Sequence, residues 1–511
     1  MILALAEAAR NIRTVTVETL NIFLVDMNFD VVIIGSGPGG YVAAVKAAQF
    51  GFKTAVVEKA ELGGICLNWG CIPTKALLKS AETFEAFKHL ASYGISFDGD
   101  NIADPQRTKD LKVDISKVVE RERGVAERMR KGVEFLFKKN NIALIKGTAK
   151  FLNHSTLKIE TAEPSEFLDQ DNTLSAKYII IATGAHPKQL PFAPFDGEKI
   201  ISYRQALVPD SLPKSLAVIG SGAIGSELAY FYKSMGCEVH LIEFLDRIVP
   251  LEDDDVCAQL SRSFRKDGMK VMTSTKVTSI KILPPEDVAN PAENVEVTLE
   301  SKKGEEKIFV ERVLCAVGVD PNTSDLGLEE LGIELNRGKI PVNNFYYTGV
   351  GNIFAIGDVI ATPALAHVAS CEAVSCVEHI AEEEGKEGAK FHPINYAHIP
   401  GATYTTPQIA SVGVTERALK ESGTEYKVSK FLFTASGKAT AAGKTDGFVK
   451  LLSDAATDKL LGVHLIGADV TEIIGGMVLA FDLGATATQV RNTVFPHPTM
   501  SEGIKEAAEG L

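Results

Sequence analysis

Short apolar runs that end in glycine recur along this chain, and a helical pattern follows the first of them. Residues 30–34 (Asp-Val-Val-Ile-Ile) have the pattern of a buried parallel strand, and residues 41–48 have that of a helix. Gly35, Gly37 and Gly40 lie between them, a spacing that lets a turn and a helix N-terminus approach a pyrophosphate. Glu58 closes the next predicted strand and can accept a hydrogen bond from a ribose hydroxyl. The pattern predicts a dinucleotide-binding fold.

The same pattern occurs a second time, 185 residues further along. Adding 185 to the first set of positions again gives glycines and a strand-terminal glutamate: Gly220, Gly222, Gly225, Gly236 and Glu243. An apolar strand at 216–220 precedes them and a helical pattern follows at 224–232. Two dinucleotide folds in one chain suggest an electron relay in which one nucleotide stays bound and the other exchanges.

The second glutamate bears on the choice of nicotinamide cofactor. Glu243 can bind the ribose diol of an adenosine but would repel a 2′-phosphate, so the sequence favours NAD over NADP. Arg247 follows four residues later, and we interpret it as a surface ion-pair partner of the acidic residues at 252–255.

Three further apolar strands end in glycine, at Gly184, Gly318 and Gly357. Asp358 follows the last of these and can hold a polyol hydroxyl of a bound cofactor; a turn aspartate is the alternative. Polar stretches at 96–114 and 284–294 are expected to be surface loops.

The character of the chain changes near residue 396. Apolar runs at 409–412, 448–452 and 461–466 predict strands, and residues 472–482 predict a helix. A separate α+β domain fits this pattern better than a third nucleotide fold.

Composition narrows the class of protein. The 511 residues suggest three or four domains, and the net charge of −13 argues against nucleic-acid binding. We expect no membrane span, and seven cysteines in a chain of this length fit a reducing compartment. The first 27 residues lack the features of a secretory signal or a transit peptide, and we interpret them as a disordered extension or a mis-assigned start.

Two of the cysteines form a candidate redox pair. Cys66 and Cys71 are surrounded by glycines, and Pro73 and Thr74 predict a helix that begins close to Cys71. The helix N-terminus and Lys75 would both favour a thiolate. A bridge that closes so short a loop adds little stability, so opening and closing explains it better than a structural role. Two buried neighbours remain the alternative; zinc is disfavoured because no second ligand pair is present.

A histidine near the C-terminus is a candidate acid/base. His497 lies between two prolines, and Glu502 follows five residues later, where it can orient the imidazole. A histidine without catalytic function is the alternative interpretation.

From residue 28 to the end, the chain resembles the flavin disulfide oxidoreductases, and among them the dihydrolipoamide dehydrogenases. The stretch at 67–75 (Leu-Asn-Trp-Gly-Cys-Ile-Pro-Thr-Lys) and the stretch at 497–502 (His-Pro-Thr-Met-Ser-Glu) are the most specific markers. Glutathione reductases have a different version of the first stretch and basic residues for NADP. Mercuric reductases have further C-terminal cysteines, whereas the last one here is Cys376.

The resemblance implies cofactors and site residues. Cys66 would exchange with the substrate dithiol, Cys71 would contact the flavin, and His497, held by Glu502, would reach the cysteines of the partner subunit. The implied FAD-binding residues are Gly35, Gly37, Gly40, Glu58, Lys75, Gly184, Asp358, Ala364, Leu365, Ala366 and His367. The implied NAD-binding residues are Gly220, Gly222, Gly225, Glu227, Glu243, Val277 and Gly318. No metal is expected. Asp320, Gln408 and Pro496 depart from the common family pattern, and none of them is a reacting group.

The expected fold class is α/β, with two Rossmann-like dinucleotide-binding domains and a C-terminal α+β dimerisation domain. The expected limits are 1–27 for the extension, 28–189 for the FAD-binding domain with the disulfide, 190–322 for the NAD-binding domain, 323–393 for a central domain and 394–511 for the interface domain.

The expected activity is oxidation of protein-bound dihydrolipoamide by NAD+, through the Cys66–Cys71 disulfide and FAD. The resemblance implies a homodimer that serves a 2-oxo acid dehydrogenase or glycine cleavage complex, with lipoyl-bearing domains or carrier proteins and an acyltransferase core as partners. The expected location is the cytoplasm, or the matrix or stroma of an organelle. A glutathione-reductase-like enzyme and a flavoprotein that mainly docks are the alternatives.

Overall fold

The computed structural model describes residues 28–95 and 112–511. The predicted extension at 1–27 and most of the predicted surface loop at 96–114 lie outside the described residues. The helices are α1 (Pro38–Gln49), α2 (Gly64–Asn68), α3 (Cys71–Lys88), α4 (Ile115–Lys139), α5 (Tyr203–Leu207), α6 (Ala223–Ser234), α7 (Asp254–Lys266), α8 (Ala366–Glu383), α9 (Glu416–Ser422), α10 (Gly437–Ala441), α11 (Val470–Asp482), α12 (Ala487–Asn492) and α13 (Glu502–Glu509).

The strands alternate with these helices in the first part of the chain and predominate in the middle. They are β1 (Phe29–Ile34), β2 (Thr54–Glu58), β3 (Ala143–Lys146), β4 (Thr148–Asn153), β5 (Thr156–Glu160), β6 (Thr173–Ile181), β7 (Ala185–Pro187), β8 (Ile200–Ile201), β9 (Ser215–Ile219), β10 (Glu238–Ile242), β11 (Lys270–Met272), β12 (Lys276–Ile282), β13 (Val295–Ser301), β14 (Gly304–Val310), β15 (Arg312–Cys315), β16 (Val319–Pro321), β17 (Ile353–Ala355), β18 (Gly401–Thr403), β19 (Gln408–Gly413), β20 (Tyr426–Leu432), β21 (Phe448–Asp454) and β22 (Leu460–Gly467).

The chain divides into two compact units. Among the described residues, unit 1 comprises 28–64, 129–185 and 321–394, and unit 2 comprises 65–95, 112–128, 186–320 and 395–511. The chain passes between the units at 64/65, 128/129, 185/186, 320/321 and 394/395, and the last three of these lie close to the predicted domain limits at 189, 322 and 393.

Unit 1 is built on one sheet in the order β3-β2-β1-β6-β5-β4, with β17 also paired to β6. The strands β1, β2, β3, β6 and β17 pair in parallel, while β4 and β5 form an antiparallel extension. Val31, Val32 and Ile33 of the central strand β1 are fully buried, as expected for a parallel strand covered on both faces. Helix α1 connects β1 to β2 and packs on α8. This is the doubly wound arrangement that the first motif predicts.

Unit 2 contains a second parallel sheet, in the order β11-β10-β9-β15-β8, with α6 connecting β9 to β10. It also contains the antiparallel sheets β12-β13-β14 and β18-β19-β22-β21-β20. Helix α11 packs on β19 and β22, and α13 packs on β21 and β20, so the C-terminal region is α+β as predicted. The predicted loop at 284–294 contains only a short 3₁₀ turn, Pro285–Asp287, with no buried residue.

The cysteine-bearing segment belongs to unit 2, whereas the sequence suggested that it is part of the FAD-binding domain at 28–189. The physical reason is the apolar face of α3. Leu77, Leu78 and Ala81 join the buried cluster that includes Leu228 and Tyr232 of α6.

None of the helices in the described ranges is long and apolar enough to cross a bilayer.

Candidate active site

The first glycine motif forms an open backbone cradle in unit 1. Gly35 has φ +99°, and a Cβ there would lie 2.4 Å from the Ala182 carbonyl oxygen, so only glycine fits. A Cβ on Gly40 would lie 1.9 Å from the Gly35 oxygen, whereas a Cβ on Gly37 would have no atom within 4 Å. Helix α1 begins here without a side-chain cap. Its first N–H groups face this space and fit a phosphate group.

The second motif repeats this geometry in unit 2. A Cβ on Gly220 would lie 2.5 Å from the Ala316 oxygen, and one on Gly225 would lie 2.0 Å from the Gly220 oxygen. The space beside Gly222 is open, and α6 also begins without a side-chain cap. The two cradles therefore offer a phosphate the same kind of site.

Glu58 is oriented by its neighbours at the end of β2. Its Oε2 accepts hydrogen bonds from Ser36 N at 2.9 Å and Ser36 Oγ at 2.6 Å, and its Oε1 accepts one from Ala60 N at 2.8 Å. A carboxylate oxygen has two lone pairs, so Oε1 retains the capacity to accept a ribose hydroxyl.

Glu243 has the same set of partners in unit 2. Its Oε2 accepts from Ser221 N at 2.9 Å and Ser221 Oγ at 2.7 Å, and its Oε1 accepts from Leu245 N at 2.9 Å. Sequence reasoning missed both serines. A signal was present, because Ser36 and Ser221 are separated by the same 185 positions as the glycines and the glutamates.

Arg247 follows the second motif and is ion-paired, as the sequence predicts. Its Nη1 lies 2.5 Å from Asp254 Oδ1, and its Nε lies 2.6 Å from Asp246 Oδ1. Its guanidinium is therefore shared between two carboxylates.

The remaining predicted FAD-binding residues of unit 1 lie after strand ends. Gly184 follows β6, and Asp358 follows β17 and Gly357, whose N–H donates to Glu372 Oε2 at 2.6 Å. Burial raises the pKa of Asp358, while Lys339 acts in the opposite direction. Residues 364–367 include the start of α8, and the buried Thr362 hydroxyl nearby in sequence has no partner among the described residues. A polar ligand group would satisfy that hydroxyl.

Two predicted NAD-binding residues lie elsewhere in unit 2. Gly318 follows β15, and its carbonyl oxygen accepts from Lys188 N at 3.1 Å. Lys188 Nζ lies 3.7 Å from Asp320 Oδ1. Val277 lies on β12 with its side chain buried.

The two cysteines lie at the junction of two helices. Cys66 is in α2, and Cys71 is the first residue of α3, so the predicted helix start is confirmed. Both are thiols in the structure, and they are hydrogen-bonded to each other. The Cys66 hydrogen bond and Lys75 lower the pKa of the Cys71 thiol to about 7, against the effect of burial. The pKa of Cys66 is raised by the hydrogen bond to Cys71 and by burial. Cys71 is thus the thiol of the pair that ionises first as the pH rises, and Cys66 stays protonated.

Lys75 and Glu227 form an ion pair in unit 2, although the sequence assigned them to different nucleotide sites. Lys75 Nζ lies 2.8 Å from Glu227 Oε2 and 3.0 Å from Oε1. The Glu227 side chain is 4% exposed, so the pair is largely shielded on the carboxylate side. Lys75 lowers the pKa of Cys71 and Glu227 raises it.

Trp69, the single tryptophan of the chain, lies between the two cysteines and is flanked by two arginines. The guanidinium carbons of Arg123 and Arg204 lie 4.4 Å and 5.5 Å from the Trp69 ring centroid. Arg123 Nη2 also donates to the Asn68 carbonyl oxygen at 2.7 Å. Sequence reasoning did not identify these arginines, because no local pattern connects them to the cysteines.

His497 and Glu502 are paired as predicted. His497 Nδ1 lies 2.8 Å from Glu502 Oε1, and Glu502 Oε2 accepts from Thr499 N at 2.8 Å. These two hydrogen bonds hold the pKa of Glu502 below its usual range, and the bond from Thr499 contributes the larger share. The His497 side chain is 78% exposed. Within the described residues, it makes no hydrogen bond to either cysteine of its own chain.

Two dinucleotide cradles, a dithiol in which Cys71 is the more acidic thiol and a histidine–carboxylate pair define a nucleotide-dependent disulfide oxidoreductase. Comparison with known families gives the same class. Residues 29–373 match the family model described as pyridine nucleotide-disulphide oxidoreductase, and residues 399–508 match its dimerisation domain. The chain belongs to the pyridine nucleotide-disulphide oxidoreductase family.

Curated relatives match nearly the whole chain. A dihydrolipoyl dehydrogenase of Rhizobium etli is 44% identical over 490 residues, which cover 94% of this chain and 97% of the relative. A mitochondrial dihydrolipoyl dehydrogenase of Pisum sativum is 40% identical, with coverage of 94% and 90%. The crystal structure of LpdA from Mycobacterium tuberculosis matches with a TM-score of 0.82 and 25% identity, with coverage of 94% and 99%.

These matches confirm the predicted family, the predicted fold class and the prediction of an oxidoreductase. They also confirm FAD and NAD as the cofactors expected for a member of this family.

Proposed function

We propose that this chain oxidises dihydrolipoamide to lipoamide and reduces NAD+, as the dehydrogenase of a 2-oxo acid dehydrogenase or glycine cleavage complex. The observation that carries the proposal is the placement of Cys66 and Cys71 at the junction of α2 and α3, one helical turn before Lys75, where the pKa of Cys71 is lowered to about 7 and that of Cys66 is raised. Such asymmetry suits a pair in which one sulfur exchanges with substrate and the other holds a negative charge. Relatives named dihydrolipoyl dehydrogenase at 40–44% identity support the substrate.

The proposed reaction starts from the oxidised Cys66–Cys71 pair. His497 removes a proton from one thiol of dihydrolipoamide, and the resulting thiolate attacks Cys66 Sγ, which breaks the protein disulfide and leaves Cys71 as a thiolate. The second substrate sulfur then attacks the substrate sulfur of the mixed disulfide and its proton passes to the departing Cys66 sulfur, so the substrate–Cys66 bond breaks, lipoamide is released and Cys66 is left as a thiol while His497 keeps the first proton. The pair now carries two electrons, and Lys75 stabilises the Cys71 thiolate. Bound FAD supplies the two-electron chemistry that connects this dithiol to NAD+.

We assign the cradle and the glutamate of unit 1 to FAD and those of unit 2 to NAD. In unit 1, the cradle at Gly35, Gly37 and Gly40 would hold the FAD pyrophosphate, with Glu58 on the ribose. In unit 2, the cradle at Gly220, Gly222 and Gly225 would hold NAD. Glu243, with its Oε1 available, would accept a hydrogen bond from the ribose diol and disfavour a 2′-phosphate.

We further propose that the enzyme is a homodimer in which His497 of one chain serves the cysteines of the other. The matched dimerisation domain and the exposed His497 side chain, which is hydrogen-bonded to Glu502, support this arrangement. Lipoyl-bearing domains or carrier proteins and an acyltransferase core would be the partners. Relatives from bacteria and from mitochondria support a cytoplasmic or organelle-matrix location.

The test uses the FAD-containing enzyme under anaerobic conditions. Dihydrolipoamide with NAD+ should give rapid NADH formation, and NADP+ should be a much poorer acceptor. Cys66→Ser should abolish turnover, whereas Cys371→Ser, which alters an exposed cysteine on α8, should not. Rapid reduction by NADPH with turnover of glutathione disulfide would contradict the proposal and favour a glutathione-reductase-like enzyme.

A further inference from the structure

Tyr404 contacts both members of the ion pair next to the redox cysteines. It lies in unit 2, between β18 and β19, and its half-buried ring packs against the core that includes Leu77 and Leu228. The Lys75 ammonium lies 4.4 Å from the Tyr404 ring centroid. The backbone N–H of Tyr404 donates to Glu227 Oε1 at 2.9 Å.

These contacts complete the surroundings of the Lys75 ammonium. Two of its three N–H groups are accounted for by the Glu227 oxygens. The aromatic face supplies a third attractive surface and limits the rotamers open to the long lysine side chain. The Lys75 side chain is 33% exposed, so without the ring the ammonium would gain both water and conformational freedom.

The position of this ammonium matters because the two partners act on Cys71 in opposite directions. Lys75 favours the Cys71 thiolate and Glu227 disfavours it, while the Cys66 thiol donates the hydrogen bond that contributes most. Glu227 is fixed by a backbone donor, which remains whatever side chain is present at position 404. A change in the ring therefore weakens the contribution of Lys75 and leaves that of Glu227 in place.

We propose that Tyr404 is a positioning residue for the Cys71 thiolate, because its ring and its backbone N–H hold the Lys75–Glu227 pair in the geometry that stabilises the thiolate. This role rests on the proposed redox function of Cys71. It assigns to the C-terminal segment a contribution to the redox site besides His497.

The test measures the reactivity of Cys71 and needs no substrate. In a Cys66→Ser background, the full-length FAD-containing enzyme is treated with iodoacetamide at a series of pH values, and mass spectrometry follows the Cys71 peptide. Tyr404→Phe should leave the midpoint of the pH profile unchanged, because the ring is kept. Tyr404→Leu should raise the midpoint, so that the alkylation rate at pH values below it falls about threefold. Equal midpoints for the two variants, or a lower midpoint for leucine, would overturn the proposal.

Two further variants separate positioning from a general packing defect. Tyr404→pentafluorophenylalanine keeps the shape of the ring but removes the negative face, and it should raise the midpoint as leucine does. In a Lys75→Met background, Tyr404→Leu should cause no further shift. A shift that persists without the lysine would show that the ring acts by another route and would refute the proposal. Because alkylation requires no dithiol substrate, failure of the dihydrolipoamide assay would not affect this result.

Discussion

Glu502 holds its partner histidine through one oxygen and is itself held through the other. The Thr499 N–H and His497 keep the pKa of Glu502 below its usual range, so the carboxylate stays ionised at neutral pH. An ionised acceptor at Nδ1 favours the tautomer that carries its proton there, which leaves Nε2 of His497 available to accept a proton from a thiol.

Glu502→Gln should therefore lower kcat by about 100-fold, because an amide carries no charge to stabilise the imidazolium, and with its oxygen on Thr499 N it presents an NH2 group to Nδ1 that disfavours the reactive tautomer. The amide oxygen can still accept from Thr499 N, so the local fold should survive. Glu506→Gln, which changes an exposed glutamate on the same helix, is the matched control and should retain activity. Steady-state kinetics with dihydrolipoamide check this, and an unimpaired Glu502→Gln enzyme would rule out the orienting role.

Single residues differ in how well their roles can be predicted from the sequence. The end of a strand predicted ribose-binding roles for Glu58 and Glu243, which stay predictions, and the acidic residues nearby predicted the ion pair of Arg247, which the structure contains. Tyr404 gives no such signal. It reaches Lys75 across more than 300 positions, and an ordinary tyrosine in a loop has no pattern that distinguishes it.

At the scale of elements, the N-terminal half of α4 anchors residues 66–76, the redox segment, which carries the two cysteines. Arg121 Nη1 donates to the Ala76 carbonyl oxygen of α3 at 2.7 Å, and Arg123 Nη2 donates to the Asn68 carbonyl oxygen at the end of α2. Arg123 also stacks on Trp69 and pairs with Glu122, whose side chain is fully buried. The helix that carries Cys66 and the helix that begins at Cys71 are thus attached to one common element.

Arg123→Met should loosen this anchor, and the single tryptophan makes the change visible. Without the guanidinium over its ring, Trp69 should become more exposed, so its fluorescence emission should shift to longer wavelength. Arg128→Met, on the same helix, should leave the emission unchanged. An unaltered Trp69 spectrum in Arg123→Met, in an enzyme that still binds FAD, would show that α4 does not hold the redox segment.

The positions of the helices and strands could largely be predicted from the sequence, whereas the elements that they pack against could not. The pattern at 30–34 predicted β1 and that at 472–482 predicted α11, because hydrophobic period is a local property of the chain. The apolar face of α3 was equally visible, but a face does not specify what it packs against. Its burial against α6, and hence the place of residues 65–95 and 112–128 in unit 2, follows from the tertiary fold alone.

At the scale of the whole molecule, one buried lysine joins distant segments of unit 2. Lys450 is 1% exposed, and its Nζ lies 2.7 Å from Asp253, 2.8 Å from Asp255 and 2.7 Å from Glu416. Burial raises the pKa of Glu416, but hydrogen bonds from Lys420, Lys450 and Tyr426 outweigh it and bring the pKa to about 2. This cluster ties the start of α7 to the C-terminal sheet.

The depressed pKa makes the contribution of Glu416 to stability depend on pH. The folded state holds the ionised form more tightly than the unfolded state, so the contribution is complete above about pH 4.5, the ordinary value, and is lost as the pH falls toward about 2. Glu416→Gln should therefore lower the free energy of unfolding at pH 7, and the difference from wild type should narrow below pH 4.5. Urea denaturation at several pH values measures this.

Glu421→Gln, which alters an exposed residue of the same helix, provides the control. It should change the free energy of unfolding by less than about 0.5 kcal/mol at any pH. A deficit in Glu416→Gln that stays constant down to pH 3.5 would mean that the cluster stabilises by packing and not by charge.

In the whole molecule, the cysteines and the histidine of one active site could come from one chain or from two. His497 follows a C-terminal domain of its own, more than 400 positions after Cys66, and its side chain is directed to Glu502 with most of its surface exposed. In a two-fold symmetric dimer, each site would take its cysteines from one chain and its histidine from the other.

Co-expression of a Cys66→Ser chain with a His497→Ala chain distinguishes the two arrangements. Each chain alone should be inactive. In a mixed dimer with shared sites, one site combines both lesions while the other joins intact cysteines to an intact histidine. Random pairing makes about half of the dimers mixed, so activity should return to roughly a quarter of the wild-type value. If the cysteines and the histidine of a site came from the same chain, every site would carry one lesion. Activity no higher than that of the parents, with mixed dimers shown to be present by differential tagging, would place the whole site within one subunit.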